Sequence, residues 1–297
     1  MTVGVIGLGI MGSAMASNLL RAGYQVVGYD VLAARRRAHR RAGGRVARTC
    51  RDAGGAAPIV ICSLPSSDAL RQTAAELVEA ARPPRIVIET STLPVAVKEA
   101  ARRRLAARGT TLLDCPLSGT GSQARAKDLV VYASGDRRAY RQVAPILNAI
   151  ARAHYHVGAF GAGSKMKFVA NLLVAVHNVA AAEALVLARK AGLDPATTLR
   201  VISDGAGSSR MLEVRGPMMV KGDYSKALMK LDIWRKDMTI IAAFAREAGA
   251  PTPLFATSAS LYTAALARGP KEDTAAVCAV LERMAGVKRK FKVRSAK

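Results

Sequence analysis

A glycine pattern at the start of the chain constrains the fold more than any other feature. An apolar run over residues 2–6 is followed by Gly7, Gly9 and Gly12, which fill the pattern G-x-G-x-x-G, and a helical stretch begins at Met11. In such a strand-to-helix turn the first glycine permits the tight turn, the second lets the backbone approach a pyrophosphate, and the third lets the helix pack on the sheet. The helix N-terminus adds free N–H groups and a positive dipole end, which attract phosphates.

An acidic residue closes the next apolar run. Residues 25–29 read as a second strand and Asp30 follows directly. A carboxylate at this position accepts hydrogen bonds from the ribose 2′-hydroxyl of a dinucleotide. The two features predict a dinucleotide-binding domain; the alternative is a doubly wound domain with an empty or vestigial site. Because the carboxylate repels a 2′-phosphate, we expect NAD over NADP, although the arginines at 35–37 would weaken that preference.

The first half of the chain alternates strand and helix patterns. The run over 58–64 is continuously apolar, as is typical of a parallel strand covered on both faces. Further short strands are predicted at 45–47, 85–88, 110–113, 129–133 and 154–157. This alternation predicts an α/β fold with an N-terminal Rossmann-like, doubly wound sheet.

The pattern changes after residue 160. The stretch 165–192 is apolar and Ala-rich and contains no Pro or Gly before Gly192, which predicts one long helix between domains. No convincing strand follows, and further helices are predicted at 195–203, 231–248, 253–267 and 274–285. We therefore expect a dinucleotide-binding domain over 1–160, an all-α C-terminal domain for substrate binding and dimerisation over 161–285, and a basic tail over 286–297.

Composition narrows the function classes. The four cysteines are scattered, with no C-x-x-C pair and no metal-ligand spacing, so we expect free thiols in a reducing compartment and no metal site. The first strand is predicted to begin at Thr2, so we expect no signal peptide. We also expect no apolar run that is long and uncharged enough to span a bilayer. The expectation is a soluble, cytoplasmic protein without a membrane partner.

The charge is strongly positive. Lys and Arg number 45 against 21 Asp and Glu, a formal net charge of +24, and basic runs lie at 35–41 and from Lys288 onward. Nucleic-acid binding is one interpretation; an arginine-biased composition with a solvated tail is the other. The aromatic residues are not interleaved with the basic runs, which favours the second interpretation. A positive field would also attract anionic cofactors and substrates.

A Gly- and Ser-rich turn follows the strand that ends near Asp114. It contains Ser118, Gly119 and Thr120 and lies at the carboxyl edge of the sheet, where open α/β proteins bind ligands. The Ser118 hydroxyl and the backbone N–H groups of 119–121 are suited to holding a carboxylate. The alternative is that this segment is only a turn.

Two lysines lie at the start of the predicted long helix. Lys167 and Asn171 are four residues apart and so share one helix face, whereas the residue four after Lys165 is the apolar Val169. A polar loop at 205–209 is suited to closing over a substrate, and Lys236 with Asp237 lies early in a later predicted helix. A helical lysine on its own is usually a solvated one.

Together these motifs resemble the β-hydroxyacid dehydrogenase family, which includes 3-hydroxyisobutyrate dehydrogenase and 2-hydroxy-3-oxopropionate reductase. The resemblance covers the whole chain. It rests on GLGIMGSAMASNLLRAG near the start, D-x-P-x-S-G at 114–119, G-x-G-x-x-x-K-x-x-x-N from Gly161, and the Lys236-Asp237 pair. It implies a Rossmann-like domain, a long inter-domain helix and a helical domain, assembled as a homodimer or homotetramer.

The resemblance also implies roles for single residues. Lys167 takes the place of the family's catalytic lysine, and Asn171 that of its conserved asparagine. Substrate binding falls on Ser118, Gly119 and Thr120. Cofactor contacts fall on Gly7, Gly9, Ile10, Met11, Gly12, Asp30, Leu64, Pro65, Thr92 and Lys236.

Three positions depart from the family pattern. Thr120 stands where a second glycine is common, Ala170 where an asparagine is common, and Ala69 or a neighbour where an asparagine contacts the cofactor. These departures leave the substrate open. Two related groups fit less well: imine reductases generally lack the lysine, and 6-phosphogluconate dehydrogenases need a larger helical domain.

The activity that the resemblance implies is the NAD-dependent interconversion of a small, anionic 3-hydroxy acid and its semialdehyde or keto form, with Lys167 as general acid and base. The alternative is a nucleic-acid- or chromatin-associated protein that keeps the dehydrogenase fold as a scaffold. The expected sign of that alternative is a lost lysine, and Lys167 is present.

Overall fold

The chain divides into two units at a point inside one long helix. The computed structural model describes residues 1–287. The first unit is Met1–Phe168, and the second begins at Val169. The sequence pattern placed the domain boundary just before this helix, at residue 160. The predicted basic tail from Lys288 lies outside the described residues.

The first unit is built on a parallel sheet of six strands. These are β1 (Thr2–Ile6), β2 (Gln25–Tyr29), β3 (Arg45–Val46), β4 (Ile59–Cys62), β5 (Ile86–Glu89) and β6 (Thr111–Asp114). They are ordered β3-β2-β1-β4-β5-β6, so the order reverses between β1 and β4. Ligands of open α/β sheets bind beyond the carboxyl ends of the strands at such a reversal, which places the glycine pattern at the expected position.

Helices cover both faces of this sheet. They are α1 (Ile10–Arg21), α2 (Ala33–Arg41), α3 (Cys50–Gly55), α4 (Ser67–Val78) and α5 (Val95–Ala106). Every residue of β4 and β5 is buried, as continuous apolar runs in a doubly covered sheet require. One apolar cluster contains Val5 and Ile61 with Met15 of α1, and another contains Val60 with Leu77 of α4.

A smaller, mixed sheet follows in the same unit. It contains β7 (Leu117–Ser118), β8 (Val130–Ala133) and β9 (Ala153–His156), with α6 (Gly121–Arg125) and α7 (Arg137–Ile150) between them. β7 pairs antiparallel with β8, and β8 pairs parallel with β9. The predicted α/β class is confirmed. One detail differs, because the last two predicted strands, β8 and β9, belong to the smaller sheet and do not extend the parallel one. An isolated antiparallel bridge between Asp114 and Ser134 connects the two sheets.

The second unit is helical. The helices are α8 (Ala162–Lys190), which begins in the first unit, α9 (Pro195–Ser203), α10 (Arg210–Lys221), α11 (Leu231–Glu247), α12 (Pro253–Arg268) and, after a short 3-10 turn (Thr274–Ala276), α13 (Val277–Met284). The described part of this unit contains no strand, only an isolated bridge between Lys230 and Asp273. The predicted helical second half is confirmed, except that the sequence pattern missed α10.

The helix α8 meets the length and composition of a membrane-spanning segment. Its most apolar window has a mean hydropathy of 1.6, and 44% of that window is buried. The expectation that no apolar run is long and uncharged enough to span a bilayer is therefore wrong by length and composition alone. A single such helix is weak evidence for a membrane, since the core helix of a globular protein has the same character.

Candidate functional site

The glycine turn after β1 leaves room for a ligand only at its middle glycine. Gly7 has a φ of +88°, and a Cβ there would lie 2.1 Å from the Ser63 carbonyl oxygen. A Cβ on Gly12 would lie 1.8 Å from the Gly7 carbonyl oxygen, so no side chain fits either position. A Cβ on Gly9 would meet only the end of Arg35, at 3.7 Å or more. No contact within the described protein explains Gly9, and the space beside it fits the pyrophosphate of a dinucleotide.

The start of α1 is equally suited to an anion. Gly9 is its N-cap and supplies no capping side chain, and the first turn contains no acidic residue. The N–H groups of such a helix end need an external acceptor, and a phosphate is a good one. Ile10 is exposed at this end and Met11 is half-buried beside it.

The other predicted cofactor residues of this unit lie at neighbouring strand ends. Leu64 and Pro65 follow β4, and Thr92 follows β5, the next strand in the sheet. Ser91 connects the two ends, because its hydroxyl accepts the Leu64 N–H at 2.8 Å. The structure therefore brings the glycine turn, the residues after β4 and the residues after β5 to one edge of the sheet. Lys236 belongs to the second unit.

Asp30 ends β2 with its carboxylate already engaged. The side chain is 4% exposed and accepts the N–H groups of Leu8 and Leu32, each at 2.8 Å. Arg35 adds a half-exposed ion pair at 3.2 Å, and Arg36 donates to the Asp30 carbonyl at 2.5 Å. The carboxylate is placed for a ribose hydroxyl, but Arg35 partly balances its negative charge. The sequence analysis included Arg35 only among the arginines that weaken the preference for NAD.

The predicted substrate turn has a structural role at one of its residues. Thr120 is the N-cap of α6 and forms a capping box with Gln123, in which the Thr120 N–H donates to the Gln123 side chain at 2.9 Å. That N–H is therefore committed to the cap. Gly119 has a φ of +137°, and a Cβ there would lie 2.6 Å from Leu129. Ser118 and Gly119 remain as candidates for a carboxylate site.

The substrate turn lies directly beside the glycine turn. A Cβ on Gly121 would lie 2.4 Å from a methyl group of Ile10. One turn further into α6, the Ala124 carbonyl accepts the Asn18 side-chain N–H of α1 at 2.8 Å. Within the first unit, the predicted carboxylate site and the predicted pyrophosphate site are thus adjacent.

The start of α8 distinguishes the two candidate lysines. Gly163 allows the helix to approach the sheets, because a Cβ there would lie 2.3 Å from the Tyr132 carbonyl oxygen and 2.7 Å from that of Asp114. One turn on, Lys167 is only 8% exposed, whereas Lys165 is exposed. The burial pattern supports the register in which Lys167, not Lys165, is the functional lysine.

A fully buried charge cluster lies under the carboxyl edge of the sheet. The Lys98 ammonium is 2.6 Å from a Glu89 carboxylate oxygen and 2.8 Å from one of Asp114, and all three side chains are 0% exposed. Burial alone would lower the pKa of Lys98, but the two carboxylates outweigh it and the pKa is raised, so the lysine is charged. Sequence reasoning missed this cluster. The available signal was a lysine on the buried face of α5, which Lys98 shares with Ala101 and Leu105.

In the second unit Asn171 has a definite partner. Its side-chain N–H donates to the Asp237 carboxylate at 3.1 Å, and the Lys236 ammonium is 3.2 Å from the other oxygen of that carboxylate. Asn171 and Asp237 are both buried. Asp237 therefore connects two predicted site residues, Asn171 and Lys236. The sequence analysis included Asp237 only as part of the Lys236-Asp237 motif. The loop over 205–209 lies between α9 and α10.

The cysteines take no part in these arrangements. Cys50, Cys62, Cys115 and Cys278 are all buried, and none of them forms a disulfide bond. Burial raises the pKa of Cys50 to about 12 and raises that of Cys62 and Cys115 as well. Among residues 1–287 no group of His, Cys, Asp or Glu side chains could hold a metal ion.

A Rossmann-like unit with an open glycine turn, followed by a helical unit, defines a dinucleotide-binding protein, and comparisons with known proteins agree. The family model described as the NAD binding domain of 6-phosphogluconate dehydrogenase matches residues 2–158. The one described as NAD-binding of NADP-dependent 3-hydroxyisobutyrate dehydrogenase matches residues 161–281. L-threonate dehydrogenase of Cupriavidus necator is 36% identical over 281 residues, which cover 93% of this chain and 94% of that protein.

Solved structures show the same relationship. A 3-hydroxyisobutyrate dehydrogenase of Mycobacterium tuberculosis, solved with L-serine, matches with a TM-score of 0.86 and 30% identity, over 94% of this chain and 98% of that one. A 3-hydroxyisobutyrate dehydrogenase of Salmonella typhimurium matches with a TM-score of 0.85 and 32% identity, over 94% and 99%. The chain belongs to the β-hydroxyacid dehydrogenase family and is an oxidoreductase that acts on CH–OH groups. Nothing in these comparisons supports the nucleic-acid alternative.

Proposed function

We propose that this dehydrogenase interconverts a small 3-hydroxy acid and its semialdehyde or keto form, with Lys167 as the general acid and base. The observation that carries the proposal is the burial of Lys167 near the start of α8, four residues before Asn171, while Lys165 stays exposed. Burial of a lysine charge is costly, so a lysine is rarely buried unless polar groups around it offset that cost, as in a binding site or an ion-pair cluster.

The chain's own residues account for proton transfer and substrate orientation. A nicotinamide cofactor, held by the glycine turn, Asp30 and the residues after β4 and β5, would supply the hydride acceptor for oxidation and the hydride donor for reduction. In oxidation, Lys167 as the neutral amine takes the proton of the substrate hydroxyl while the C–H bond breaks; in reduction, its ammonium gives the proton back to the oxygen. The Ser118 hydroxyl holds the substrate carboxylate, and Asn171, held by Asp237, orients the reacting oxygen.

The substrate class is supported by what the relatives have in common. L-threonate, 3-hydroxyisobutyrate and L-serine each carry a carboxylate and a hydroxyl on carbon three, and these names belong to the relatives and not to this chain. Steady-state assays of NAD reduction with a panel of such acids, and of NADH oxidation with the matching semialdehydes, test the proposal. Turnover of at least one acid is expected. Absence of turnover in both directions, with a folded protein that binds NAD, would contradict it.

Ser118 is expected to control substrate affinity and not cofactor affinity. Ser118→Ala should raise KM by about 10- to 100-fold, because hydrogen bonds to charged groups contribute about 1.5–3 kcal/mol. The Kd for NAD, measured by calorimetry, should stay unchanged. Gly119→Val is a poor substitute test, because the φ of +137° makes any side chain there strained. Equal losses of substrate and NAD binding in Ser118→Ala would show a structural role only.

Cofactor choice is expected to favour NAD, with Arg35 limiting the preference. Asp30→Ala should weaken NAD binding and narrow the preference, since the ribose hydroxyl loses its acceptor. Arg35→Ala should weaken NADP binding and so increase the preference for NAD over NADP. The increase should be at most about fivefold, because a half-exposed ion pair contributes at most about 1 kcal/mol. Binding constants for both cofactors in the three proteins measure this. A higher catalytic efficiency of the wild type with NADP than with NAD would overturn the assignment.

Assembly and localisation complete the proposal. We infer a homodimer or homotetramer in the cytoplasm. The support is the family resemblance together with large apolar side chains that stay exposed in the second unit, among them Leu187 of α8 and Met284 of α13. Such side chains are commonly covered by a second copy of the chain.

A further inference from the structure

The buried cluster of Lys98, Glu89 and Asp114 contacts, directly or through one residue, two segments of the proposed site. On one side, Asp114 accepts the Ser164 N–H and the Ser164 hydroxyl, each at 2.8 Å. Ser164 lies in the first turn of α8, three residues before Lys167. Asp114 also accepts the Ser134 hydroxyl at 3.1 Å, and Ser134 in turn accepts the Gly163 N–H at 2.9 Å. The first turn of α8 is thereby fixed by three hydrogen bonds that lead to one carboxylate.

On the other side, the cluster reaches the predicted cofactor segment. The Glu89 carboxylate accepts the Ser91 N–H at 3.0 Å, and the Ser91 hydroxyl accepts the Leu64 N–H at 2.8 Å. Leu64 precedes Pro65 in the segment where the family resemblance places cofactor contacts. Lys98 connects the two sides, because its ammonium binds Glu89 and Asp114 together.

The geometry points to a positioning role: the Lys98 cluster holds the catalytic lysine's helix turn and the cofactor segment after β4 in register with each other. This inference rests on the proposed function, in which Lys167 must meet the reacting oxygen while the cofactor lies at the strand ends. None of the cluster's charges is accessible to substrate, since Lys98, Glu89 and Asp114 are 0% exposed and Ser164 is 1% exposed. They act through Lys167 and Leu64. A fixed arrangement matters because a displacement of about 1 Å costs up to about 100-fold in rate.

Ser164→Ala tests the helix side. It removes the hydroxyl bond to Asp114 and leaves the backbone N–H in place. Its matched control is Thr110→Val, which also removes one buried hydroxyl bond, from Thr110 to the Pro84 carbonyl at 2.6 Å, at the opposite edge of the sheet. We expect similar melting temperatures for both variants, but a fall in kcat of about tenfold or more only in Ser164→Ala, with KM and the Kd for NAD nearly unchanged.

Ser91→Ala tests the cofactor side and should show the reverse pattern. It removes the acceptor of the Leu64 N–H, so the Kd for NAD, measured by calorimetry on the full chain, should rise several-fold while kcat at saturating NAD is largely kept. The two variants thus separate the two sides of the cluster through opposite changes in kcat and in cofactor affinity.

Amide hydrogen exchange gives a readout that does not depend on activity. Ser164→Ala should speed exchange of the amides at 163–167 by about tenfold relative to wild type, and Thr110→Val should leave them unchanged. The inference would be overturned if Ser164→Ala changed neither the exchange rates nor kcat. It would also be overturned if kcat fell in both variants in proportion to the fall in melting temperature. A wild-type protein without dehydrogenase activity would instead contradict the proposed function, and the exchange data would still decide whether the cluster holds the turn.

Discussion

Replacing Lys167 with alanine is expected to lower kcat by about 10²–10⁴-fold, the usual contribution of general acid–base catalysis. The physical reason is that Lys167 is the residue proposed to take and return the proton at the substrate oxygen. Ser118 holds the carboxylate, and Asn171 only donates or accepts hydrogen bonds. The Kd for NAD should change little, because the glycine turn and Asp30 remain intact.

Two companion variants make this expectation specific. Lys167→Arg should recover little activity, since a guanidinium holds its proton too strongly to act as a base near neutral pH. Lys165→Ala is the matched control and should behave like wild type, because Lys165 is exposed two residues away on the same helix. Loss of turnover in Lys165→Ala, with turnover retained in Lys167→Ala, would mean that the motif has been placed in the wrong register.

Replacing Lys98 with methionine is expected to cost about 3–5 kcal/mol in the free energy of unfolding, the effect of removing one partner from a buried ion pair. Methionine fills a similar volume, so little of the loss comes from a cavity. The loss arises because Glu89 and Asp114 are left with negative charge, 0% exposed and without a cation. Urea denaturation at neutral pH measures the difference.

A second substitution separates this electrostatic effect from poor packing. In the Lys98→Met background, Glu89→Gln removes one uncompensated charge and should recover part of the lost stability, although Glu89→Gln alone should be destabilising. A double variant no more stable than Lys98→Met would show that packing, not charge, causes the loss. Because the pKa of Lys98 is raised, the wild-type contribution of this group is fully present below the ordinary lysine pKa and is lost only as the pH rises through the higher folded value.

Local patterns predicted much of the fold and part of the site. The glycine turn, the strand that ends at Asp30 and the apolar run of β4 are each defined by neighbours in sequence, and each forms as expected. The long α8 was predicted because its sequence contains no helix breaker between its first turn and Gly192. Helical spacing also predicted that Lys167 and Asn171 share a face, and the burial of both residues is consistent with it.

Features that depend on distant contacts were missed. Gly216 and Pro217 argue against a helix, yet α10 contains both, since Gly216 allows close packing on Leu199 of α9. The separate small sheet arises from the pairing of β7 with β8, which no periodicity signals. The Asp237 partner of Asn171 lies 66 residues further along the chain. The capping box of Thr120 with Gln123 is local and was missed for another reason, because Thr120 was assigned to substrate binding.

The buried triad also has a consequence for how such a sequence changes over generations. Loss of Lys98 leaves two buried carboxylates without a cation, and loss of either carboxylate leaves the buried ammonium with one partner in place of two. Each single replacement is therefore expected to pass through a less stable intermediate. The three positions are therefore expected to be inherited together. Descendants of this chain should either keep all three charges or have exchanged them jointly for neutral side chains that fill the same space.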